Sequence, residues 1–213
     1  MSNIAGKSYA MNVITPLKWY TRWLSKAVFL IAWVRPNTTK GLVTLSLIHY
    51  AKWVVLKPSQ FPRLSKDQPR EDLKYNYMMF FSNFNGSWDQ YVDSFSSSIP
   101  GGLDLFWIKN VKYPKSLPML PFHDYITANQ IWTNHYFNST PMAASNDVKS
   151  AKRVKEHLLA FIDQPCASPE EFQSGYDQLL IELQHDISQM APTPVVSLAA
   201  AAAEKRRNEE EGM

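Results

Sequence analysis

Five histidines are spread along the 213-residue chain. Two of them, His49 and His135, fall in apolar, aromatic runs that read as strands. A histidine so placed could ligate haem or a metal, or serve as a base. A core histidine hydrogen-bonded to backbone accounts for each more simply. No His-x-x-x-His or His–carboxylate spacing marks a metal site, so none is expected. His123 and Asp124 are an acid–base pair only where a pocket forms beside them, because adjacent helical residues face different ways. His157 and His185 suit polar helix faces. Asp93 and Asp104 flank the central helix, and Asp89 in its first turn is explained by the helix dipole. Cys166, in Pro165-Cys166-Ala167-Ser168, reads as an incidental loop thiol. A single cysteine excludes a disulfide framework and a Cys-based zinc site. There is no phosphate-binding glycine loop and no nucleophile elbow. The residue types alone assign no catalysis.

The elements that must position these residues centre on 75–99. Tyr75 to Phe84 read as a strand with apolar side chains on both faces: Tyr77, Met79 and Phe81 one way, Met78, Phe80 and Phe84 the other. Asn85-Gly86 is the turn. Ser87 with Gln90 is a capping box opening a helix with Trp88, Tyr91, Val92, Phe95 and Ile99 on one face, stopped by Pro100-Gly101-Gly102. Residues 43–56 read as a strand with Leu45, Leu47, His49, Ala51, Trp53 and Val55 on one face, paired antiparallel to 75–84 across a proline-containing loop. A third strand is expected at 103–108, a loop at 109–121, a short helix at 122–130 and a fourth strand at 131–137. Asp147 can cap a helix carrying Val148, Ala151, Val154, Leu158, Leu159 and Ile162. Ser168-Pro169-Glu170-Glu171 opens another with Phe172, Tyr176, Leu179, Leu180, Leu183 and Ile187. Residues 191–213 read as a tail, and 1–14 as a loose arm.

Thr15-Pro16 reads as the start of a helix over 16–34. Lys18, Arg22 and Lys26 recur every fourth residue as a basic stripe, and Trp19, Trp23 and Trp33 suit a headgroup zone. The uncharged stretch 27–34 spans only about 12 Å as a helix, against roughly 30 Å of hydrocarbon. Lying in the interface is therefore favoured over spanning it. Packing on the protein's own core is the plain alternative. The expected partner is a membrane surface or a hydrophobic protein.

Hydrophobic residues at 45% and aromatics at 13% support a core. The net charge of +3 comes with no clustered basic face in the core, so nucleic acid is not an expected partner. Sequons at Asn37, Asn85 and Asn138 read as chance, because no signal peptide is apparent. The expected location is cytoplasmic, peripheral at the inner face of a membrane.

The strings IHYAKW (48–53), FFSNFNGSWDQYVDSF (80–95) and GGLDLFW (101–107) resemble ferredoxin-like domains of the dimeric α/β-barrel type. The resemblance covers the central half of the chain. It implies an antiparallel sheet packed by helices. Relatives of that superfamily include haem-dependent peroxidases and cofactor-free monooxygenases, while many others only bind small molecules or partners. No haem-ligand motif stands in this sequence.

The expected fold is α+β, a ferredoxin-like antiparallel sheet of about four strands packed by helices. The division is an N-terminal arm and amphipathic helix (1–40), an α+β core (41–165), a C-terminal helix (166–190) and a tail (191–213). The leading functional expectation is an accessory or binding protein attached through its N-terminal helix, the surface residues being Lys18, Trp19, Arg22, Trp23, Lys26 and Trp33. The alternatives are an oxidoreductase on a hydrophobic small molecule or lipid, using His49 or His135 with or without haem, and a structural subunit of a larger assembly, a homo-oligomer included.

Overall fold

The computed structural model describes residues 3–34, 47–71 and 73–188. The fold is α+β. Strands β1 (Ile4–Ala5), β2 (Ser8–Leu17), β3 (Ile48–Leu56) and β4 (Asn76–Asn85) form one antiparallel sheet in the order β1-β2-β4-β3. Among the described residues six α-helices accompany it: α1 (Arg22–Val34), α2 (Trp88–Ser98), α3 (Pro100–Trp107), α4 (Met119–Ala128), α5 (Ser145–Ile162) and α6 (Pro169–Ser188). This arrangement is compatible with a ferredoxin-like fold. The part of the expected 43–56 strand before residue 47 and the expected tail lie outside the described residues, as does the Asn37 sequon.

The stretch expected to be a loose arm is instead structural. Tyr9, Met11, Val13 and Leu17 alternate along β2 and are buried. β2 pairs with β4 over its whole length, from Ser8 opposite Asn85 to Leu17 opposite Asn76. Thr15 and Pro16 are therefore strand residues and not a helix start. Thr15 is fully buried, and its hydroxyl donates to the Met78 carbonyl at 3.3 Å. The helix begins only at Arg22, after a 3-10 turn at Trp19–Thr21. The β1–β2 connection turns at Gly6, whose φ of 63° is a left-handed conformation that glycine adopts without a Cβ penalty.

Helices α2, α3 and α4 cover one sheet face. Tyr91, Val92, Phe95, Leu103, Trp107, Phe122 and Ile126 pack with Met11, Val13, Met78, Phe80 and Phe84. Ser87 caps α2 as expected, accepting the Gln90 amide at 3.2 Å. The expected strand at 103–108 is α3. Pro100 fits a first helical turn, where its missing amide costs nothing, and Leu103 and Trp107 are one turn apart on the buried side. The expected strand at 131–137 joins no ladder. Ile131 N–H bonds to the Asn12 carbonyl at 2.8 Å, and beyond it the Asn12 side chain, donating to Thr133 Oγ1, replaces backbone pairing. On the second sheet face Ile14, Val54, Tyr77, Met79 and Phe81 are half-buried.

Candidate functional site

The residues with chemistry gather in two places, and a third surface is apolar. At one end of the sheet, the turn before β2, the bulge in β3, the end of β4 and the start of α5 converge. The β3–β4 register slips between Ile48 and Tyr50, leaving His49 as the extra residue. A bulge re-aims a side chain. Counting back from Trp53 by twos would point His49 inward with Ala51. The bulge sends Ile48 against the core and leaves His49 exposed. Its Nε2 is 3.4 Å from Ser8 Oγ, which also accepts from Asn138 Nδ2 at 3.0 Å. Partial desolvation of the His49 ring, which still keeps an exposed edge, holds it below its ordinary pKa, while an Asn85 hydrogen bond and the Asp147 charge oppose that shift.

Beside it, the Lys7 ammonium is 3% exposed and stands 3.2 Å from Asp147. Asn85 donates to the Lys7 carbonyl and accepts from the Ser145 amide, at 2.9 and 2.8 Å. Asp147 also accepts the Ala144 amide at 2.8 Å, closing the first turn of α5. A serine beside a histidine suggests nucleophilic chemistry. Ser8, however, is 1% exposed and its oxygen is engaged by Asn138, so no substrate reaches it. The cluster works as a polar clamp between sheet and helix.

The second place joins α4 to α2. His123 Nε2 lies 2.7 Å from Asp93 Oδ1, with Trp88 edge-on to the imidazole. The partner of His123 is thus Asp93, thirty positions upstream, while Asp124 points to solvent on the far side of its helix. His135 is exposed and stands on an extended segment, not on a strand. The cavity of about 20 Å³ between sheet and helices is lined by Met11, Phe80, Tyr91, Leu103, Trp107 and Phe122 among others, with no histidine or carboxylate. Its size admits about one water and its lining offers that water nothing. Among the described residues no group of three or more His, Cys, Asp or Glu could hold a metal.

The third surface is α1 and the turn before it. Trp19, Tyr20, Trp23, Leu30, Ile31, Trp33 and Val34 are each more than half exposed, Trp33 by 80%. Among the side chains of α1 whose burial is described, Ser25 alone is buried. Phe29, stacked on Phe106 at 5.6 Å, fastens the helix to α3. Lys18 and Lys26 are exposed alongside. Lys18 precedes the helix and reaches back over the Tyr20 ring at 6.0 Å. The basic stripe is therefore split between a turn and a helix. Arg22 opens α1.

The sequence named His49, His123 and the α1 surface residues. It missed Lys7, Ser8 and Asp93 as partners. Asp147 was legible as a helix cap, and its second role with Lys7 was not. Comparison with known protein families, with curated proteins and with solved structures finds no match.

Proposed function

We propose that this is an accessory or binding protein held peripherally at the inner face of a membrane through α1 and the Trp19–Thr21 turn. The observation that carries the reading is the row of large apolar side chains left in solvent from Trp19 to Val34. A helix of 13 residues is about 20 Å long. No described helix is long and apolar enough to cross a membrane, and lying in the interface covers the same side chains. Full burial of a large apolar side chain contributes about 1.5–3 kcal/mol. Each cation at an anionic surface adds about 1 kcal/mol. Apolar insertion thus dominates and Lys18 and Lys26 select anionic lipid. A hydrophobic protein surface is the competing partner. The finer relationship to dimeric α/β-barrel domains belongs to the same proposal.

Flotation of the full chain with vesicles tests it. The expected result is flotation with anionic phosphatidylglycerol vesicles, weaker flotation with neutral ones, and loss in the Trp19→Ser/Trp23→Ser/Trp33→Ser variant. Lys18→Glu/Lys26→Glu should weaken binding less. A folded chain that stays at the bottom of the gradient with anionic vesicles overturns the reading.

A further inference from the structure

The connections at one end of the sheet share a character that no single stretch of the sequence shows. Strand β2 ends at Leu17, opposite Asn76 where β4 begins, and β3 ends at Leu56 opposite Tyr77. The chain therefore leaves and re-enters the sheet at this one end through 18–21 and 57–75. The α3–α4 connection, 108–118, crosses the same end. Asn110 bridges Leu17, and the Val111 amide donates to the Pro16 carbonyl at 2.8 Å. Helix α4 then runs away from it: the Tyr125 hydroxyl donates to the Val111 carbonyl at 3.2 Å, and the Asn129 carbonyl accepts the Ile14 amide at 2.9 Å. Its first residues, Met119 and Leu120, thus stand at this end as well. The opposite end, about 30 Å away along β2, holds Ser8, Asn138 and the foot of the C-terminal hairpin of α5 and α6, whose helices are paired through Arg153 and Asp186.

The three connections carry nine Lys and Arg against three Asp and Glu, a net of +6, whereas the whole chain nets +3. The remainder of the chain is therefore acidic, with a net of −3. Among the described residues no ion pair neutralises any of the nine cations. Lys18, Lys66, Arg70, Lys112 and Lys115 are exposed. Asp104, the carboxylate nearest the 108–118 connection in sequence, is occupied in shaping it, accepting the Tyr113 hydroxyl at 2.9 Å and the Ser116 amide at 2.8 Å. Lys112 and Lys115 sit at φ of 57° and 80°, a region that residues with a Cβ seldom adopt. Glycine would hold the same backbone without strain, and cations stand there instead. Apolar tips rise among these charges: Leu64 is 99% exposed, Trp19 76% and Leu120 72%. The phosphates of a nucleic acid would answer the cations but not the bare leucines. An anionic bilayer answers both, with headgroups for the cations and hydrocarbon for the tips.

We infer that this end of the sheet is the surface that meets anionic lipid headgroups, with the three connections toward the bilayer and the foot of the α5–α6 hairpin away from it. The inference deepens the membrane reading and rests on it for the class of partner. Flotation of the full chain with phosphatidylcholine vesicles, with and without phosphatidylglycerol, tests it. Binding to the anionic vesicles should weaken as salt rises. Lys112→Gly/Lys115→Gly should keep the wild-type thermal midpoint and the binding to neutral vesicles. It should weaken anionic binding at least about tenfold, each cation near the surface contributing about fivefold. Leu64→Cys and Ser139→Cys, each in a Cys166→Ser chain and labelled with an environment-sensitive dye, read the orientation. The dye at 64 should shift to the blue on anionic vesicles, and the dye at 139 should not. Undiminished anionic binding by the lysine variant, or a blue shift at 139 and not at 64, overturns the inference and leaves the α1 reading standing. Wild-type binding by Trp23→Ser/Trp33→Ser, with loss in the lysine variant, does the reverse. A chain that floats with neither vesicle, including one that shifts single-stranded RNA in a gel instead, overturns both.

Discussion

Lys7 Nζ lies 3.2 Å from Asp147 Oδ2, joining residues 140 positions apart in the chain. The pair ties the β1–β2 turn to the first turn of α5, and so anchors the C-terminal hairpin to the sheet. Removing one partner of a buried pair costs about 3–5 kcal/mol, because the other charge stays behind unpaired. Asp147 retains the Ala144 amide, which places Lys7→Met at the low end, about 3 kcal/mol. Urea denaturation followed by circular dichroism checks this, and a loss under about 1 kcal/mol would show that the ammonium is not held.

The same turn is tightly specified at Gly6 as well. A Cβ added at Gly6 would stand 2.0 Å from the Pro141 carbonyl oxygen, and the backbone there is left-handed. The left-handed conformation alone costs an L-residue about 1–2 kcal/mol. Gly6→Ala should therefore lose at least about 2 kcal/mol. An unchanged thermal midpoint would contradict the close approach of the 138–141 segment to this turn.

His49 predicts a pH dependence. Its native pKa is lowered from the ordinary 6.5, so between the two values the unfolded chain binds more protons than the folded one. Stability then rises with pH across that window. The contribution is complete above about pH 6.5 and declines as pH falls toward the depressed native value. Urea midpoints measured from pH 7.5 down to pH 5 should fall, and His49→Gln should flatten that slope. Equal slopes in both proteins would mean that other groups set it.

The Asp93–His123 contact is partly open, with Asp93 49% exposed, so solvent screens much of its attraction. A double-mutant cycle with Asp93→Ala and His123→Ala should return a coupling of about 0.5–1 kcal/mol. A coupling of several kcal/mol would instead mark a desolvated dyad, and would reopen a chemical role for the pair.

The sequence by itself determined the elements whose signals are local. The strand at 75–84, the Ser87-capped helix and the two C-terminal helices follow from periodicity and from caps within one turn, and all four are present. The antiparallel pairing of β3 with β4 follows from chain proximity. The alternating burial of Tyr9, Met11, Val13 and Leu17 was also written in the sequence, but Thr15 puts a polar residue in the buried row and Thr15-Pro16 together mimic a helix start. Residues 103–108 are short and apolar, a composition that suits strand and helix alike. Only packing against Phe80 and Trp53 makes Trp107 helical and buried. The bulge at His49, the pairing of His123 with Asp93 in place of Asp124, and the clamp of Lys7 on Asp147 were decided by tertiary structure alone. Each joins groups from separate elements, and no local pattern records which distant carboxylate or hydroxyl a folded chain brings within 4 Å of a side chain.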